Sequence, residues 1–168
     1  IRSVADAREV LNSGADKVSI NSPALERPEL ISELAQVFGS QCVVVGVDSR
    51  RQGEDFSVYC YTGSEEKTRM SGRRTLDWLV EAQRLGAGEI VLNCTDQDGV
   101  GSGYDVEQLK RARAVLSIPL VASGGARSAE HFERVFEEAR VDAALAAGAF
   151  HRGELRIPEL KSVLSERG

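Results

Sequence analysis

Asp48 follows an unbroken apolar run, Val43-Val44-Val45-Gly46-Val47, so its carboxylate is expected where a strand ends. A carboxylate within hydrogen-bond reach of a reacting atom can take a proton and return it. The same residue can equally cap a loop or pair with Arg50 or Arg51, and position alone does not separate these roles. Ser123-Gly124-Gly125 precedes a helix capped by Ser128. Glycines let backbone N–H groups approach an anion, and a helix start adds partial positive charge. Ala147-Gly148-Ala149 makes a second small turn after the next strand-like run. Together the two turns read as a phosphate cradle, and singly each reads as an ordinary tight connection. Asn21-Ser22-Pro23 offers amide, hydroxyl and backbone donors in a comparable place, either for a further phosphate or as turn residue and cap. Asp96 and Asp98 share one loop, where they could orient hydroxyls or an amine. Their donor count is poor for a divalent cation, so no metal and no cofactor is expected.

Lys17 and Glu89 stand at strand starts, hence at the opposite end of the fold from these groups. Charged residues there serve stability or partner docking. His131 on a helix and His151 in a loop have no nucleophile at triad spacing and read as structural. Cys42, Cys60 and Cys94 lack metal-ligand spacing and read as small apolar filler in a reducing compartment, which points to the cytoplasm.

These residues need a frame. The sequence repeats amphipathic helix, glycine break, apolar run and polar loop. The apolar runs are 16–21, 42–48, 89–94, 118–123 and 141–147, five parallel strands alternating with helices. Residues 49–73 interrupt the pattern. Phe56 to Tyr61 alternates and Thr62-Gly63 turns it, so a small hairpin or flap is expected. A (β/α)8 barrel needs eight strands and ~250 residues. The expectation is therefore an α/β fold, a single partial TIM-barrel domain over residues 1–168, with strands 4–8 present and the first three, roughly 80 residues, outside it. An open doubly wound sheet is disfavoured because no G-x-G-x-x-G follows the first strand. Ile1 is not expected to be a natural start, and open strand edges would favour self-association. The net charge of -5 argues against non-specific nucleic-acid or anionic-membrane binding. No apolar run approaches ~20 residues.

The strings GADKVSINSPALERPELI, FGSQCVVVGVDSRR, RLGAGEIVLNCTDQDG, IPLVASGGARSAEHF and DAALAAGAFHRGE carry a resemblance over essentially the whole chain. It resembles the cyclase subunits of imidazole glycerol phosphate synthase, from histidine biosynthesis. The resemblance implies a lyase. It would join ammonia to a bis-phosphorylated aminoimidazole carboxamide ribulosyl ribotide, releasing imidazole glycerol phosphate and aminoimidazole carboxamide ribotide. It implies Asp48 as one of two acid–base aspartates, the other lying on a first strand absent from this chain. It implies Asn21 and Ser22 at one phosphate, and Ser123, Gly124, Gly125, Ala147 and Gly148 at the other. Gly148 replaces the family's usual Ser, leaving backbone donors there. Asp98 matches a substrate-contacting acid, while Asn93 and Cys94 match positions near the mouth. Lys17 and Glu89 match a ring that gates ammonia from a docked glutaminase subunit, and Asp16 an acid that holds that partner. The sister isomerase of the preceding pathway step and a non-catalytic phosphate-binding partial barrel are the competing readings.

Overall fold

β-Branched runs between glycine stops build parallel strands whose one face is covered by helices. A computed structural model of the chain, describing residues 1–167, has seven strands in one sheet. Five run parallel: β1 (Val18–Ile20), β2 (Val43–Gln52), β5 (Glu89–Cys94), β6 (Leu120–Ser123) and β7 (Ala143–Leu145). Their spatial order is the chain order, β1-β2-β5-β6-β7. β3 (Asp55–Cys60) and β4 (Arg69–Arg74) form an antiparallel hairpin on the far half of β2. A partial barrel of five βα units is the result, with β1 and β7 each paired on one side only among the described residues.

Helices α1 (Val4–Asn12), α3 (Glu29–Phe38), α4 (Thr75–Leu85), α5 (Val106–Val115), α6 (Ala129–Arg134) and α8 (Ile157–Arg167) connect or flank the strands. α1 begins with a capping box, Ser3-Val4-Ala5-Asp6. Ser3 Oγ accepts from the Asp6 N–H, and Asp6 accepts from the Arg2 N–H at 2.7 Å. Asp105 likewise caps α5 by accepting from the Gln108 N–H at 2.9 Å. Leu30, Ile31 and Leu34 of α3, Leu79 of α4 and Leu109 of α5 are fully buried. Alternate strand residues, such as Val43, Val45 and Val47 or Ile90 and Leu92, belong to the same core.

Several boundaries differ from the sequence reading. The strand expected over 42–48 does not stop at Asp48. It runs on to Gln52, because the hairpin replaces β5 as its partner and keeps the backbone extended. The strands expected over 16–21, 118–123 and 141–147 are shorter, the first and last of them giving way to short helices that begin at Ser22 and Gly148. Two short helices stand where the sequence suggests turn and loop: α2 (Ser22–Glu26) and α7 (Gly148–His151), which includes His151. Ser128 precedes α6 but makes no side-chain cap. His131 Nδ1 instead accepts from the Arg127 N–H at 3.1 Å, which gives that histidine its structural role. After Arg134 the helix widens into a π-turn at Val135–Ala139, keeping Phe132, Val135 and Ala139 buried. The hairpin turn spans residues 61–68 rather than Thr62-Gly63, with Ser64 and Thr68 N–H groups closing it.

Candidate active site

Register alone aligns the expected groups. Asp48 pairs across to Asn93, Asn93 to Ser123, and Ser123 to Leu145. Because strand side chains alternate, these four share the concave face, away from the helices. Cys94 falls on the other face. It is buried, and burial foremost raises its thiol above the ordinary value, so it is packing and not part of the mouth.

Asp48 is 8% exposed and accepts three hydrogen bonds. Asn93 Nδ2 donates to Oδ1 at 2.9 Å, while Asn21 Nδ2 and Thr62 Oγ1 donate to Oδ2 at 2.8 and 2.6 Å. Ser123 Oγ then donates to Asn93 Oδ1 at 3.2 Å. The chain of contacts therefore runs from the glycine turn through Asn93 to the carboxylate. Each carboxylate oxygen has two lone pairs. Oδ2 spends both on Asn21 and Thr62, whereas Oδ1 spends one, so Oδ1 is the atom placed to exchange a proton. Arg50 and Arg51 do not pair with Asp48. Arg50 donates to Thr95, and the Arg51 guanidinium to Glu107. The ion-pair role open to Asp48 in the sequence is thus not taken up.

Asn21 and Ser22 line a cavity of about 450 Å³ with Arg2, Arg27 and Tyr61. One N–H of the Asn21 amide donates to Asp48, and its Oδ1 is buried without a partner among the described residues. An amide oxygen accepts but cannot donate to a phosphoryl group. Nδ2 carries two N–H groups and gives one to Asp48, so Asn21 positions Asp48 and keeps a second N–H beside this cavity. Ser22 Oγ accepts from the Tyr61 N–H at 2.9 Å, tying the hairpin tip to this cavity, and its own proton remains free to donate. Tyr61 has φ 58°, and its hydroxyl bonds Glu26.

A second cavity, about 290 Å³, brings together Asp98, Ser123, Gly124, Gly125, Ala147 and Gly148, with Asn93 and Arg152. Gly124 and Gly125 have φ of 99° and 97°. A Cβ on them would lie 2.7 Å from Cys94 O and 2.2 Å from Gly103 O. Both glycines are thus required by backbone conformation and close approach. Among the described residues, the N–H groups of Gly125 and Ala126 meet no protein acceptor, leaving donors for an anion. Asp96, considered with Asp98 in the sequence, instead accepts from the Arg51 N–H at 2.6 Å and anchors the hairpin base.

Lys17 and Glu89 sit at the opposite end of β1 and β5, with Nζ to Oε2 at 2.5 Å. Lys17 is about half exposed, so such a pair contributes only about 0–1 kcal/mol to stability. Asp16 is exposed beside them.

The sequence profile of the histidine biosynthesis protein family matches residues 1–156. The chain belongs to that family. It is 60% identical over 168 residues to the imidazole glycerol phosphate synthase subunit HisF of Xylella fastidiosa strain M12, covering 99% of this chain and 65% of that protein. Against the subunit HisF of Xanthomonas campestris pv. campestris strain B100, identity is 60% over 165 residues, 98% of this chain and 64% of that protein. The chain thus spans a little under two thirds of the length of these relatives. The family match covers Asp48, both glycine turns and the Lys17–Glu89 pair, whereas Thr62 and Arg152 were not singled out in the sequence.

Proposed function

We propose that this chain carries one acid–base carboxylate and both phosphate-binding turns of an imidazole glycerol phosphate synthase cyclase. The substrate would be the bis-phosphorylated aminoimidazole carboxamide ribulosyl ribotide, and ammonia would supply the ring nitrogen. The observation that carries this reading is the hydrogen-bonded row Ser123–Asn93–Asp48, which ties a donor-rich turn to a buried carboxylate on one face. Similarity to the two HisF subunits supports it.

In this reading one phosphate sits against Ser123, Gly124, Gly125, Ala147 and Gly148. The other sits by Ser22 near Arg2 and Arg27. Anchoring both ends removes much of the substrate's freedom before chemistry starts. Asp48 Oδ1 then takes a proton from, or returns one to, the closing ring, and a second acid outside these residues completes the pair. Asp98 orients a substrate hydroxyl or amine. Lys17 and Glu89 gate ammonia arriving from a glutaminase partner that Asp16 helps hold. No helix among the described residues is long and apolar enough to cross a membrane, and all three cysteines are free thiols. We place the reaction in the cytoplasm.

The test is turnover by the intact protein with this bisphosphate and either ammonium or glutamine plus glutaminase. Formation of imidazole glycerol phosphate is expected. Isomerisation of the preceding pathway intermediate instead would contradict the reading. Lys17→Ala should lower the glutamine-dependent rate and spare the ammonium-dependent one, and equal losses would refute a gate.

A further inference from the structure

The second cavity holds one full positive charge whose placement the fold explains only in part. Arg152 lies four residues after Gly148, across the short helix α7, and lines the cavity beside the glycine turns. Glu154 grips one edge of its guanidinium. Nε donates to Glu154 Oε1 at 2.8 Å and Nη2 to Oε2 at 3.3 Å. That two-point grip fixes the plane of the group. It leaves Nη1, which has no acceptor among the described residues.

Nη1 is next to the turn. A Cβ built on Gly148 would lie 2.6 Å from Nη1 and 3.2 Å from Cζ. A side chain at 148 and the guanidinium in its present place therefore exclude each other. Gly148 has no positive φ to require glycine, and the atoms its Cβ would meet are those of the Arg152 guanidinium. Gly125 and Ala126, whose N–H groups are free among the described residues, line the same cavity as this cation. Arg127 also reaches Glu154, with Nε to Oε2 at 3.2 Å, so Glu154 is shared by two cations. Two guanidiniums thus share one carboxylate, Glu154, while Asp98 is the acid lining the cavity itself.

We propose that Arg152 is a phosphate-binding residue, supplying Nη1–H to a phosphate monoester seated on the Ser123–Gly125 turn, in the space that Gly148 leaves open. The proposal rests on the reading of this turn as a phosphate cradle. It adds a residue that this reading did not contain, and it makes Gly148 and Arg152 one functional unit. Glu154 acts through Arg152 as a positioning residue.

The experiment is a titration of the intact protein with inorganic phosphate at constant ionic strength, following the backbone amide signals of Gly124–Ala126 and of Ser22 by NMR. In the unaltered protein, phosphate should shift the Gly124–Ala126 signals. Arg152→Met should weaken binding at those signals about tenfold or more, as loss of a charge-assisted hydrogen bond does, and leave binding at Ser22 within twofold. Gly148→Ser, which displaces the guanidinium, should weaken the same site but cost much less when Arg152 is already Met. Arg152→Met with unchanged affinity at Gly124–Ala126 would overturn the role of Arg152 and spare the cradle. No response of those amides to phosphate in the unaltered protein would overturn the cradle, and the inference with it.

Discussion

At the residue scale, the site is organised by what one carboxylate accepts. Asp48 Oδ2 is saturated by Asn21 and Thr62, and Oδ1 is half open. Thr62 comes from the hairpin tip, so that tip is a second support for the carboxylate. Thr62→Val keeps the shape and removes the hydroxyl. It should lower kcat about ten- to a hundredfold with KM little changed, because hydrogen bonds to charged groups are worth about 1.5–3 kcal/mol. Thr62→Ser should recover most of the loss, and wild-type kcat in the Val variant would show that the hairpin does not position Asp48. The sequence made Asp48 legible because a carboxylate ending an apolar run is conspicuous. Thr62 was not legible, since it reaches Asp48 only after the hairpin folds back across fourteen positions. The second role of Asn21 was hidden for a similar reason. Its type fits a phosphate donor or a turn, and only the folded contact shows that one of its amide N–H groups goes to Asp48.

At the element scale, the turn after β6 combines conformational strain with tight packing. Gly124 is at φ 99°, and a Cβ there would meet the Cys94 carbonyl at 2.7 Å. Gly124→Ala should therefore destabilise the fold by about 1–3 kcal/mol, seen as a lower urea midpoint with unchanged slope. A midpoint equal to wild type would mean that the turn relaxes freely and that its geometry is not fixed by the backbone. The parallel strands, their order and the hairpin were readable from apolar runs, glycine stops and the alternation of Phe56, Val58 and Cys60, all buried. Their ends were not. β2 continues past Asp48 because a partner from the hairpin arrives, and β7 gives way to the short helix that begins at Gly148. Ladder partners, unlike periodicity, are not written locally in the sequence.

At the scale of the whole molecule, the two ends of the sheet carry different groups. Asn21, Asp48, Asn93 and Ser123 gather at one end, and Lys17 with Glu89 at the other, so under the proposed function ligand and glutaminase would be engaged without competing. The concave face is less covered than the helical face, with Leu145 48% exposed. β1 and β7 also present unpaired edges among the described residues. Edges of this kind template pairing with another chain. The 168-residue chain on its own should therefore self-associate in light scattering. A monodisperse monomer with cooperative unfolding would show that the edges are adequately protected.

The central claim is that the Asp48 carboxylate transfers the proton while the turns hold the substrate. The most direct measurement compares Asp48→Asn with wild type in the intact protein, taking ammonium-dependent turnover alongside calorimetric substrate binding. The account predicts turnover reduced by at least about a hundredfold with affinity kept within a few-fold, because only the acid–base group is lost. Turnover close to wild type would contradict it.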